Sequence, residues 1–281
     1  MGWQYKKRKL INFVGLSLTV VATLFTLFWL LWILSTLISH GWQALDVSMF
    51  LKDTPAPGEE GGLRNAIIGS ILVCITGVAI GAPIGVLAAT WLAEYGRGTP
   101  LAAVIRFVND VLLSAPSIII GIFIYGLIVV HTGGFSGWAG AVALAVILLP
   151  VVVRTSEDML LLVPDQMREA AAALGAQRWR LIVDVVYRAA KRGMITGILL
   201  GFARISGETA PLLFTALNNQ FFSMDMTEVI ANLPMMIFQY AMSPYETWQN
   251  LAWAGALLIT LSILAINLSL RLIWRDPKRG N

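Results

Sequence analysis

Long apolar runs separated by short polar connections fill most of this 281-residue chain. The runs lie at about 11–38, 65–93, 102–130, 137–153, 194–217 and 250–274. A helix needs about 20 apolar residues to cross ~30 Å of hydrocarbon, so the pattern predicts an all-α membrane protein with six transmembrane helices. The fourth run is short, but its helix can continue into the polar residues after Pro150. The first follows Lys6, Lys7, Arg8 and Lys9 as a signal peptide would, yet its core far exceeds the usual apolar stretch of about 7–15 residues. It reads as a retained anchor. Pro83, Pro116 and Pro150 fall inside or near the ends of runs and predict kinks. Small residues recur every four positions at Gly77, Gly81 and Gly85, and again at Gly193, Gly197 and Gly201, a spacing that lets helix backbones approach closely.

Composition agrees: 57% of residues are hydrophobic and only 13% are charged, about half the charge of a soluble domain. The net charge of +4 is distributed by side of the membrane and does not call for nucleic acid as a partner. Basic residues cluster at the N-terminus, at Arg97 and Arg106, through the 154–192 loop, and at Arg271, Arg275, Lys278 and Arg279. The alternate connections hold only Lys52 and Arg64. By the positive-inside rule both termini and the 154–192 loop are cytoplasmic, within one transmembrane domain covering 1–281. Cys74 is the only cysteine, so no disulfide forms within the chain. His40 and His131, at the ends of apolar runs, read as interfacial structural residues. No phosphate-binding glycine loop or catalytic constellation is present, and nothing calls for a cofactor or a metal. The chain reads as non-catalytic.

Two places carry unusual chemistry. The apolar segment 193–218 contains Arg204 and Glu208, and about 1.5 Å per residue from Gly193 puts Arg204 close to the midplane. A charge at that depth costs at least a few kcal/mol and usually faces protein, water or a substrate route. Four residues apart on a continuous helix, Arg204 and Glu208 share a face, so they either neutralise one another or line a pathway with Thr209. The second place is the 154–192 loop. Pro164 and Asp165 start a short helix, Gln166 to Leu174 are strong helix formers, and Gly175 makes a turn before a second helix near Arg178. The segment 218–249, rich in methionine and aromatics, reads either as an interfacial helix or external gate, or as an ordinary re-entrant connection.

At these residues the chain resembles the inner-membrane permeases of ATP-binding-cassette importers. Their shared loop has Glu-Ala-Ala, three residues, Gly, nine residues, then Ile-x-Leu-Pro. Glu169, Ala170, Ala171 and Gly175 match its first half and Val185 takes the Ile place, whereas Tyr187 and Arg188 stand where the family has Leu-Pro. Ser114 to Gly121, Ala203 to Thr215, and Ser243-Pro244-Tyr245 are similar to the phosphate-specific permeases of the PstA type. The resemblance covers essentially the whole chain and implies a type I ABC importer bundle in the cell inner membrane. It also implies partners: a PstC-like second permease, a PstB-like ATPase dimer, a periplasmic PstS-like binding protein, inorganic phosphate, surrounding lipid, and a phosphate-signalling regulator.

On this reading Glu169, Ala170, Ala171, Gly175 and Trp179 couple to the ATPase. Arg204, Glu208 and Thr209 lie on the phosphate pathway, where a carboxylate that accepts the phosphate proton would reject sulfate. The alternatives are a permease for another oxyanion such as sulfate or molybdate, a membrane subunit serving mainly phosphate signalling, and an ATP-independent channel or secondary transporter.

Overall fold

A computed structural model of the chain describes residues 2–273. Arg275, Lys278 and Arg279, part of the charge asymmetry above, lie outside the described residues. Among the described residues the main helices are α1 (Trp3–Ala44), α2 (Arg64–Thr90), α3 (Pro100–Ser114), α4 (Ser117–Ile124), α5 (Gly137–Leu161), α6 (Asp165–Ala173), α7 (Tyr187–Ile205), α8 (Ala210–Leu213), α9 (Leu233–Ala241) and α10 (Glu246–Ile273), with single helical turns at Ser48–Leu51, Val130–Thr132 and Arg178–Arg180. Three π-helical turns extend them: Trp91–Tyr95 ends α2, Tyr125–Val129 prolongs α4, and Leu181–Val186 leads into α7. Among the described residues α1, α2, α5 and α10 are each long and apolar enough to cross a membrane. The chain is a multi-pass membrane protein.

Helix α5 is the hub, because two glycine stripes bring neighbouring helices against it. A Cβ at Gly77 would lie 3.1 Å from the Ala141 carbonyl oxygen, one at Gly81 2.9 Å from that of Ala145, and one at Gly85 2.9 Å from Val152 Cβ. On the α7 side Gly193, Gly197 and Gly201 leave no room for a Cβ beside Met159, Thr155 and Leu148. Both stripes therefore mark tight helix packing within this chain. Val73, Leu144, Leu148, Ile205 and Leu212 share the resulting core.

Two expected spans are interrupted. The run 102–130 is two helices, α3 and α4, bent by 105° where they meet. Pro116 cannot continue α3 and forces Ala115 into an extended conformation (φ −67°, ψ 134°). That is a sharper change than a kink. The run 194–217 is likewise split, since α7 stops at Ile205 and α8 restarts at Ala210. By contrast α5 does continue past Pro150 to Leu161, and the helical path into α7 resumes at Arg178. The loop read as 154–192 is thus helical at both ends, and its connecting part is residues 162–177.

The segment 218–249 packs down in part, while Phe221, Met224, Phe238 and Met242 stay exposed. Leu233, Met235, Met236 and Tyr240 of α9 are buried, and several of them share a core with Leu63, Ala252 and Ala254. Its irregular part supplies carbonyls to the start of α5, where Gly137 N–H donates to Glu228 O and Trp138 N–H to Met226 O, both at 3.0 Å. Those are donors that a helix N-terminus leaves without an internal partner. Thr227, through its hydroxyl and its N–H, holds the Asp225 carboxyl below its ordinary value. His40 stacks on Trp253 with ring centroids 4.9 Å apart.

Candidate functional site

The break after α7 forms because its residues withdraw from the helix. Ser206 Oγ donates back to Phe202 O at 2.7 Å, Gly207 has low helix propensity, and the Pro211 ring would clash with the Gly207 carbonyl if the helix ran on. Arg204 therefore stands on the last turn of α7, while Glu208 and Thr209 follow the break. The expected shared helix face is not formed. Arg204 is exposed and Glu208 and Thr209 are half-buried. Among the described residues no ion pair joins Arg204 to Glu208. The Thr209 side chain does not cap α8. The depth argument is independent of the break: Gly201 abuts Leu148, near the middle of the 25-residue α5. Non-helical backbone at such a depth is tolerated where it is enclosed by protein or lines a watery cavity.

The helices that follow the two breaks meet. A Cβ at Gly121 would lie 2.6 Å from Pro211 Cα, so α4 and α8 cross in contact. The segments Ser114 to Gly121 and Ala203 to Thr215, distant in sequence, thereby form one locus of broken helices.

The second site lies at the opposite end of α7, in the 162–177 connection, whose one basic residue is Arg168 and which Arg178 and Arg180 follow directly. Helix α6 ends in a glycine turn: Gly175 has φ +79°, Ala176 N–H donates to Ala171 O at 3.2 Å, and Gly175 N–H to Ala172 O at 2.9 Å. That paired closure needs a left-handed residue, which glycine adopts without strain. Glu169, Ala170, Gly175 and Trp179 are exposed and Ala171 is half-buried. Leu174 beside them is 89% exposed. The surface presented is a short helix and turn with apolar and acidic groups outward.

Sequence reasoning missed what holds this element. Arg168 donates to Glu94 at 2.6 Å through Nη2, and their side chains are 12% and 7% exposed. Arg97 reaches Asp165 at 3.2 Å, and the Arg178 guanidinium stacks on the Tyr95 ring, 4.5 Å from its centroid. Glu94, Tyr95, Arg97, Arg168 and Arg178, together with Glu169, wall a cleft of about 610 Å³. Where the family loop has Leu-Pro, the Tyr187 hydroxyl instead meets Thr90 Oγ1 at 2.7 Å. Without a proline there, the helical path from Arg178 to Ile205 stays unbroken.

Residues 81–278 match the family model for the binding-protein-dependent transport system inner membrane component. A phosphate transport system permease protein PstA of Haemophilus influenzae is 58% identical over 96% of this chain and 96% of its own length. One from Xylella fastidiosa is 53% identical over 99% and 97%. In fold the chain is similar to the MetNI methionine ABC transporter in an inward-facing conformation, with a TM-score of 0.58, 20% identity, and coverage of 76% of this chain and 94% of that one. An amino acid ABC transporter aligns with a TM-score of 0.57 at 18% identity, over 76% and 92%. This helical bundle is therefore a type I ABC importer permease fold, and the chain belongs to the binding-protein-dependent transport system inner membrane components, among the PstA permeases.

Proposed function

We propose that the chain is one of two membrane-spanning permeases of an ATP-driven importer of inorganic phosphate. The observation that carries this is the full-length likeness, at 58% identity, to a phosphate transport system permease. The geometry supports it at both ends of α7. An exposed arginine near mid-depth, with no ion-pair partner among the described residues, is costly in lipid and needs a protein or water environment. A second, PstC-like permease facing Arg204 provides one. The guanidinium then offers charge-assisted donors to phosphate oxygens, with Glu208 and Thr209 across the break as further polar contacts. Residues 165–180, carrying Glu169, Ala170, Ala171, Gly175 and Trp179, dock on a PstB-like ATPase. A PstS-like protein delivers phosphate from the other side.

In this arrangement the basic end is cytoplasmic, both termini included, the whole chain is a single domain of the inner membrane, and ATP is hydrolysed by the partner. A role in phosphate signalling would use the same subunit contacts. Purification of the tagged chain with whatever co-elutes, followed by reconstitution in liposomes, tests the reading. The expected result is an ATPase and a second permease in the complex, and ATP-dependent phosphate uptake that excess sulfate does not inhibit. Recovery of the chain alone, or uptake of sulfate in preference, overturns it.

A further inference from the structure

Adjacent residues of α6 face opposite ways. Glu169 is exposed and makes no ion pair among the described residues, whereas Arg168 turns inward and is 12% exposed. Arg168 Nη2 donates to Glu94 Oε1 at 2.6 Å and to Leu160 O at 2.8 Å. Its Nε donates to Glu94 Oε1 at 3.1 Å, and its Nη1 to Val163 O and to Asp165 at 3.1 Å. Glu94 lies in the π-helical turn that ends α2, and Leu160 and Val163 belong to the end of α5 and the residues just after it. One guanidinium therefore joins α6 to both helices. Arg97 reinforces the joint by reaching Asp165 of α6 at 3.2 Å, and Arg178, just beyond α6, donates to Glu94 O.

Apolar burial holds α6 only weakly: none of its residues is fully buried, and Ala171, half-buried, packs against the core that holds Leu160, Val163 and Leu181. A buried arginine–carboxylate fork can hold it firmly, since parting it leaves an uncompensated charge. The helices it grips are the ones zipped together by Gly77, Gly81 and Gly85, and α5 is zipped in turn to α7, which carries Arg204.

We propose that Arg168 and Glu94 are positioning residues that tie α6 to α2 and α5, so that displacement of α6 by its docking partner moves the bundle rather than α6 alone. This rests on the importer reading above and adds to it the route by which force enters the chain. The test uses the complete complex in lipid nanodiscs, carrying Cys74→Ala and spin labels at Leu87 of α2 and Ala173 of α6. With the tie intact, the label-to-label distance stays the same in nucleotide-free and nucleotide-trapped states. Glu94→Gln and Arg168→Met should each make it shift or broaden on trapping, and Arg168→Lys, which keeps the charge and loses the fork, should lie between.

In liposomes Glu94→Gln, which lies outside the docking segment, should retain ATP hydrolysis within about twofold while phosphate moved per ATP falls at least fivefold, an uncoupling that a merely structural role would not produce, and Arg168→Met should show the same fall in that ratio. A short bismaleimide joining Glu94→Cys to Arg168→Cys should restore the ratio. Trapped distances in Glu94→Gln and Arg168→Met identical to the unsubstituted complex overturn the tie, whatever the substrate. An unsubstituted complex that hydrolyses ATP and moves no phosphate overturns the importer reading alone, because the distance measurement still decides the tie.

Discussion

Gly175 and Arg204 show what a single position decides. At φ +79° a β-branched residue is strained by roughly 1–3 kcal/mol, although a Cβ there would meet no atom within 4 Å. Gly175→Val therefore acts through the backbone alone. It should insert and accumulate normally while stimulated ATP hydrolysis and phosphate uptake fall together, and unchanged values for both would remove the turn from coupling. Arg204→Lys keeps the charge without the planar fork. Hydrogen bonds to a charged group are worth about 1.5–3 kcal/mol, so uptake should drop roughly tenfold to a hundredfold, nearly as far as in Arg204→Gln. Since the helix ends between Arg204 and Glu208, mutual neutralisation is a poor account of either. Arg204→Met with Glu208→Leu should stay inactive, and normal uptake by that pair would sink the pathway assignment. Gly175 was legible in the sequence because a turn glycine after a helix-forming run is a local signal. Arg168 was not, because its partner Glu94 is 74 residues away and nothing local distinguishes it from the exposed arginines nearby.

Among the elements, spans were legible where apolar length and helical continuity coincide, as in α2, α5 and α10. At 102–130 and 194–217 only the continuity was misread, because hydropathy averages over a break that Pro116, and Gly207 with Pro211, spell out residue by residue. The glycine stripes were legible as packing faces, but their common target was not, since spacing says that a face is flat and not what lies on it. Gly197→Leu must displace Thr155 on α5. It should reduce recovery of assembled complex from detergent severalfold, whereas Gly126→Leu, at a position with no atom within 4 Å of an added Cβ, should leave recovery near normal. Equal recovery of the two would mean that α7 does not rely on this contact. The measurement is the yield of monodisperse complex by size-exclusion chromatography.

For the molecule as a whole, charge asymmetry predicts the orientation. A membrane-impermeant thiol reagent added to intact cells should label Glu59→Cys and not Ala173→Cys, and both should react once the membrane is opened. Labelling of Ala173→Cys in intact cells would invert the topology. Cys74 does not interfere, being 6% exposed. The all-α bundle was readable from apolar runs, whereas the contact of α4 with α8 was not, because it joins two short helices, each following a break, that are distant in sequence. The hub position of α5 also bears on how the protein is made. One of its close-packed neighbours, α2, precedes it in the chain, and the other, α7, follows. A nascent chain that has reached Leu161 can already zip α2 onto α5, but the opposite face, from Leu148 to Met159, must wait for residues still inside the ribosome. Biogenesis is then ordered, and ribosome-bound chains stalled once Leu161 has left the ribosome, but before α7 has, should cross-link between α2 and α5 while their other flank is held by the insertion machinery.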